Sequence, residues 1–77
     1  MCEMYVQFHR VEDILDFVSM TSRYPYAINL SCGRFGVDGK SLMGVMAIGL
    51  DKPVKVQIQS EEAETLEREL GRYRVLT

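Results

Sequence analysis

Two hydrophobic periods alternate along this chain, and each demands a different backbone. In residues 2 to 9, Cys2, Met4, Val6 and Phe8 alternate with Glu3, Tyr5, Gln7 and His9, the period of a strand with one face in the core and one in water. Directly afterwards Val11, Ile14, Leu15 and Val18 recur at the i, i+3, i+4, i+7 spacing of an amphipathic helix, whose positive N-terminal end suits Glu12 and Asp13. The helix is expected to stop before Tyr24-Pro25, because proline pushes its predecessor out of the helical region.

From Tyr26 the two-residue period returns, with Ile28 and Leu30 inward and Ala27, Asn29 and Ser31 outward. Gly33 then turns a hairpin into a strand carrying Phe35 and Val37. Asp38-Gly39-Lys40-Ser41 reads as a turn ending in a serine N-cap for a short helix from Leu42 to about Ile48, closed by Gly49. Val54, Val56 and Ile58 alternate with Lys55, Gln57 and Gln59. Ser60 is the expected cap of a last helix with Ala63, Leu66, Leu70 and Tyr73 as its buried stripe.

A chain of 77 residues buries too small a fraction of its surface to form two cores, so residues 1–77 make a single domain. The order β-α-β-β-α-β-α implies an α+β fold: a two-layer open-faced sandwich, with helices on the apolar face of a four-stranded antiparallel sheet and the polar face open. The open face carries Tyr5, Asn29, Arg34, Lys55, Gln57 and Gln59. RNA-binding sheets stack bases on two or three aromatics, and Tyr5 is the one aromatic assigned to this face, so a solvated surface or, more weakly, a small-ligand sheet domain is expected.

A net charge of −2 with dispersed Lys and Arg points away from nucleic acid and acidic membranes. No stretch approaches the ~20 apolar residues of a membrane span. Cys2 and Cys32 have no CxxC spacing, so reduced thiols in a cytoplasmic protein are expected, with no disulfide scaffold or metal site. No catalytic triad, metal-ligand cluster or phosphate-binding glycine loop is visible, so the expectation is a non-enzyme without a cofactor.

The run Gly39-Lys40-Ser41-Leu42-Met43-Gly44-Val45-Met46-Ala47-Ile48-Gly49-Leu50 resembles the regulatory serine region of the HPr phosphocarriers of the bacterial sugar phosphotransferase system. The likeness extends over about residues 14 to 74 and implies the sandwich already read from periodicity. It also implies protein partners of the phosphotransferase type: a kinase, a transferase or a regulator. The family's carrier chemistry uses a histidine at the start of the first helix, followed by a small residue and an arginine. Aligned from the serine motif, the corresponding stretch is Arg10-Val11-Glu12-Asp13. Arginine stands in the histidine's place, glutamate in the arginine's, and the strand is read as running almost directly into the helix.

Three groups of residues follow as candidates. His9, the only histidine, is either a phosphoryl acceptor near a helix N-terminus or a solvated histidine on the polar sheet face beside Gln7. Ser41 is either the N-cap alone or also a site of regulatory phosphorylation by an ATP-dependent kinase, as the resemblance implies. Lys40, Leu42, Met43, Met46, Ala47 and Leu50 lie on or near a helix too apolar to bury every side chain, and the resemblance implies a partner-docking patch there. The alternative is that Met43 and Met46 complete the core. The expected function is therefore a regulatory or docking module without a phosphohistidine, with a divergent His9 carrier as the alternative. Periodicity leaves the oligomeric state open.

Overall fold

The computed structural model describes residues 2–75. Along the chain these form β1 (Cys2–Val6), α1 (Val11–Thr21), β2 (Ile28–Cys32), β3 (Phe35–Asp38), α2 (Leu42–Ile48), β4 (Val54–Ile58), α3 (Glu64–Leu70) and a closing 3-10 turn, Gly71–Tyr73. The strands lie in the order β1-β4-β2-β3, and every neighbouring pair is antiparallel. β1 and β2 both oppose β4 and so run parallel to each other, which obliges α1 to carry the chain back across the sheet. α2 does the same between β3 and β4.

One face of this sheet supplies Met4, Val6, Ile28, Leu30, Val54, Val56 and Ile58 to the core, and the helices cover it with Ile14, Phe17, Met20, Val45, Ile48, Leu66 and Leu70. The other face stays open, with Tyr5 opposite Lys55 and Asn29 opposite Gln57. The α+β open-faced sandwich expected from periodicity is the observed architecture. The β2–β3 hairpin turns on Gly33, whose φ of 61° lies in the left-handed region that glycine enters without steric cost.

Three local expectations change. The first strand ends at Val6, not at His9, because its ladder runs from Cys2 opposite Ile58 to Val6 opposite Val54. Pro53 precedes Val54 and has no N–H to extend the pairing. Residues 7 to 10 thus form a short connection, and His9 stands off the sheet's polar face at the entrance to α1.

The buried stripe of α1 is also rotated. Ile14, Phe17, Met20 and Thr21 face inward while Val11 and Leu15 are 42% and 47% exposed. Phe17 takes the inward position because it packs edge-on against Phe8, with ring centroids 5.1 Å apart, and approaches Tyr73 at 6.4 Å.

Ser60, finally, does not cap α3. Its Oγ accepts from the Glu62 N–H at 3.0 Å, closing a local turn, and the helix begins after Ala63. The stripe Ala63, Leu66, Leu70 and Tyr73 is buried as expected, with Tyr73 in the 3-10 turn.

The last described residues add to the sheet's outer edge. The Gln7 N–H donates to the Tyr73 carbonyl, the Val75 N–H donates to the Tyr5 carbonyl, both at 2.9 Å, and Arg74 bridges antiparallel to Val6. This pairing covers the β1 edge.

Candidate functional site

At the entrance to α1, Arg10 holds extended backbone (φ −139°, ψ 158°) and serves as N-cap. Its guanidine-bearing side chain has no acceptor atom to offer the free amides. Asp13 supplies one from within the first turn. Its Oδ2 accepts from the His9 N–H at 3.0 Å and the Arg10 N–H at 3.2 Å, with the Arg10 guanidinium 3.8 Å from its other oxygen. The His9 amide first, then the Arg10 amide and charge, hold the Asp13 carboxyl below the usual carboxylate range in spite of partial burial. The chain's own carboxylate thus sits at the entrance to α1, on the two amides that lead into the helix.

His9 is exposed, and its Nδ1 donates to Asp51 Oδ1 at 3.0 Å. Asp51 stands there because its N–H donates to the Phe8 carbonyl at 2.7 Å, with a left-handed φ of 60°. That clasp ties the β1–α1 connection to the segment between α2 and β4. Sequence patterning carries no signal for the pairing, since the two residues are 42 positions apart.

A groove of about 460 Å³ opens beside His9, lined by Arg10, Asp13, Arg72, Tyr73, Arg74 and parts of Gln7 and Val75. Arg72 and Arg74 were not anticipated as site residues. The only sequence signal for them is the alternation Arg72-Tyr73-Arg74-Val75, too short to read as an edge strand without the pairing to β1.

The serine motif forms much as expected. Ser41 is the N-cap of α2 and its Oγ accepts from the Gly44 N–H at 3.2 Å. Asp38 shapes the turn before it, its carboxylate accepting from the Lys40 N–H at 2.9 Å and its carbonyl from the Ser41 N–H at 3.1 Å. Lys40 points its ammonium elsewhere, donating to the Tyr24 carbonyl at 2.5 Å, so its charge anchors the α1–β2 loop.

Neither Met43 nor Met46 completes the core. Met43 is 84% exposed, and Met46, Leu42, Ala47 and Leu50 also reach the surface, while Val45 and Ile48 are buried. α1 and α2 pack against each other. With Val11 and Leu15 the two helices present apolar side chains to solvent from adjacent elements. On the open sheet face a shallow hollow of about 390 Å³ is lined by Asn29, Ser31, Gly36, Asp38 and Gln57 among others.

Both cysteines are free, and the Cys2 thiol is held protonated chiefly by its neighbour Glu67 and then by burial, the opposite of a reactive thiolate. Among the described residues no group of three His, Cys, Asp or Glu side chains gathers to hold a metal ion, and no helix is long and apolar enough to cross a membrane.

Comparison with solved structures finds the same fold elsewhere. HPr-C-His from Thermoanaerobacter tengcongensis superposes with a TM-score of 0.77 at 22% identity, covering 91% of this chain and 86% of that one. The phosphocarrier protein HPr from Bacillus anthracis gives 0.75 at 21% identity, covering 96% of each chain. The Bacillus subtilis catabolite repression protein Crh, solved as a domain-swapped dimer, gives 0.69 at 22%, covering 94% of this chain and 88% of that one. A search of curated proteins finds no match. Residues 14–70 match the family described as PTS-HPr, the PTS HPr component phosphorylation site. The matched span begins just past the His9–Asp13 cluster and includes the whole Ser41 helix; covering more than half of the sequence, it establishes that the chain belongs to the HPr phosphocarrier family of the phosphotransferase system.

Proposed function

We propose that this HPr-family chain is a regulatory or docking module that binds a protein of the phosphotransferase type, a kinase, transferase or regulator, and that it acts by binding and not as an enzyme or a phosphohistidine carrier. The observation that carries this reading is the Asp13 carboxylate on the His9 and Arg10 amides. A phosphoryl group placed at the start of α1 meets a fixed negative charge, and two like charges ~4 Å apart near a protein surface repel by about 4 kcal/mol. Docking is supported by the exposed apolar side chains of two adjacent helices, Val11 and Leu15 on one and Leu42, Met43 and Met46 on the other, followed by Leu50. Methionine adapts to several partner surfaces, and apolar side chains grouped in this way mark interaction sites more often than scattered ones do. Ala47 is exposed on the same helix, and Lys40 directly precedes its N-cap, Ser41.

Ser41 is the acceptor we assign to an ATP-dependent kinase. Its hydroxyl already accepts from the Gly44 amide, and a phosphate at the same atom would meet the same donor. A second reading, with His9 as a phosphoryl acceptor, is favoured by one observation: Arg10, Arg72 and Arg74 line the groove beside it.

Intact mass separates these readings, after incubation with a phosphoenolpyruvate-driven donor pair and separately with an ATP-dependent HPr kinase. An acid-stable gain of about 80 Da, lost in Ser41→Ala, is expected from the kinase, and no gain is expected from the donor pair. An acid-labile gain abolished by His9→Ala would replace the docking reading with the carrier reading.

A further inference from the structure

The charges around the groove beside His9 are unevenly matched. Arg10 faces Asp13 at 3.8 Å and the His9 ring donates to Asp51 at 3.0 Å. Arg72 and Arg74 line the same groove, and neither has a carboxylate partner among the described residues. The Arg72 guanidinium lies 5.5 Å from the centre of the Tyr73 ring, an arrangement that restrains it at the groove. Tyr73, which lines the groove between the two arginines, is 6% exposed, and its buried hydroxyl has no hydrogen-bond partner among the described residues, a state native proteins tolerate rarely.

We infer that this groove binds a phosphate monoester dianion non-covalently, with Arg72 and Arg74 as its principal ligands and Arg10 and His9 at its rim. The charge fits, because two unmatched guanidinium groups meet a group that carries about −1.5 to −2 at neutral pH. The geometry of recognition fits as well, since the guanidinium fork donates two parallel N–H groups to a phosphate. Asp13 directs one oxygen to the His9 and Arg10 amides at the entrance to α1 and its carboxylate repels an anion there, so the ligand is held at the Arg72–Arg74 end of the groove. The groove's 460 Å³ is open to solvent, so the ester's organic part can extend outward, whether it belongs to a free metabolite or to a phosphorylated side chain of a protein. No bond is made to His9. The inference is independent of the docking face, and a bound ester leaves no covalent mass change.

The test is an amide and arginine side-chain NMR titration of the full chain at pH 7.5 and low salt. Glucose 6-phosphate represents the free ester, a phosphoserine peptide the protein-borne one, and methyl sulfate is a monoanionic control. Saturable one-to-one shifts confined to residues 9–10 and 72–75 are expected with at least one ester, weaker with methyl sulfate. Arg72→Gln or Arg74→Gln should weaken binding roughly tenfold each, as loss of a charge-assisted hydrogen bond does. Arg34→Gln, on the distant hairpin, should leave it unchanged. Tighter binding of the peptide or of the sugar phosphate identifies the source. Non-saturating shifts with both esters, or equal weakening by Arg34→Gln, would overturn the inference, as would wild-type affinity in the Arg72→Gln, Arg74→Gln double variant, whose exposed positions leave folding intact.

Discussion

Asp13 accepts a hydrogen bond from the backbone of His9, four residues earlier, at 3.0 Å, so the first turn of α1 is closed by a carboxylate where the N-cap side chain cannot accept. Replacing Asp13 with alanine should cost about 1 kcal/mol, the usual loss for a missing helix cap, read from urea unfolding at pH 7. The acid side offers a sharper check. The folded-state pKa of Asp13 is depressed, so its contribution is complete above the unfolded value near ~3.9 and is lost as pH falls through the lower folded value. Below about pH 4 the wild type should lose stability more steeply than Asp13→Ala, and the two curves should converge.

Tyr24 gives the opposite dependence at alkaline pH. Its hydroxyl donates to the Glu69 carboxylate, joining the α1–β2 loop to α3, and its ring stacks on Tyr26 at 5.8 Å. That bond, more than burial, raises the tyrosine's pKa. A raised folded pKa means that the contribution is present below the unfolded value of ~10 and disappears as pH rises through the folded one. Tyr24→Phe should melt below the wild type at pH 8, and the gap should shrink above pH ~10.

Gly39 and Gly71 should respond differently to the same substitution. A Cβ at Gly39 would lie 2.7 Å from Ile28 Cγ2 and 3.0 Å from the Ile28 carbonyl oxygen, whereas one at Gly71 meets nothing within 4 Å. The Gly39 amide donates to that same carbonyl and the Gly39 carbonyl accepts from Thr21 Oγ1 at 2.9 Å, so the turn cannot move aside without breaking both. Gly39→Ala should cost about 1–3 kcal/mol. Gly71→Ala, at a helical φ of −54°, should be neutral or add about 0.4–1 kcal/mol by restricting the unfolded chain. Paired denaturant melts distinguish the two.

Removing the Tyr73 hydroxyl should help the isolated protein. The ring packs against Phe8 at 5.7 Å and Phe17 at 6.4 Å, contacts that phenylalanine keeps, while the buried oxygen has no partner among the described residues. Tyr73→Phe is expected to raise stability by about 1 kcal/mol, seen as a higher melting temperature at pH 7.

Short-range features were the legible ones. Ser41 and the limits of α2 could be read because a cap bonds to an amide three residues on, and the β4 alternation survives because both neighbouring strands demand the same buried face. Ser60 shows where such local reading fails. A serine hydroxyl can close a turn or cap a helix, and here it closes a turn on the Glu62 amide while the helix starts only at Glu64.

The sequence by itself determined the elements, their order and the apolar face of each strand, because backbone period and side-chain polarity are written residue by residue. Tertiary structure alone decided the rotation of α1, which follows from Phe17 meeting Phe8 and Tyr73, and the end of β1, which follows from the register against β4. It alone brought Asp51 to His9 and Arg72 and Arg74 to the start of α1. Contacts between residues dozens of positions apart depend on which surfaces pack, and periodicity states that a face is apolar without naming what will cover it.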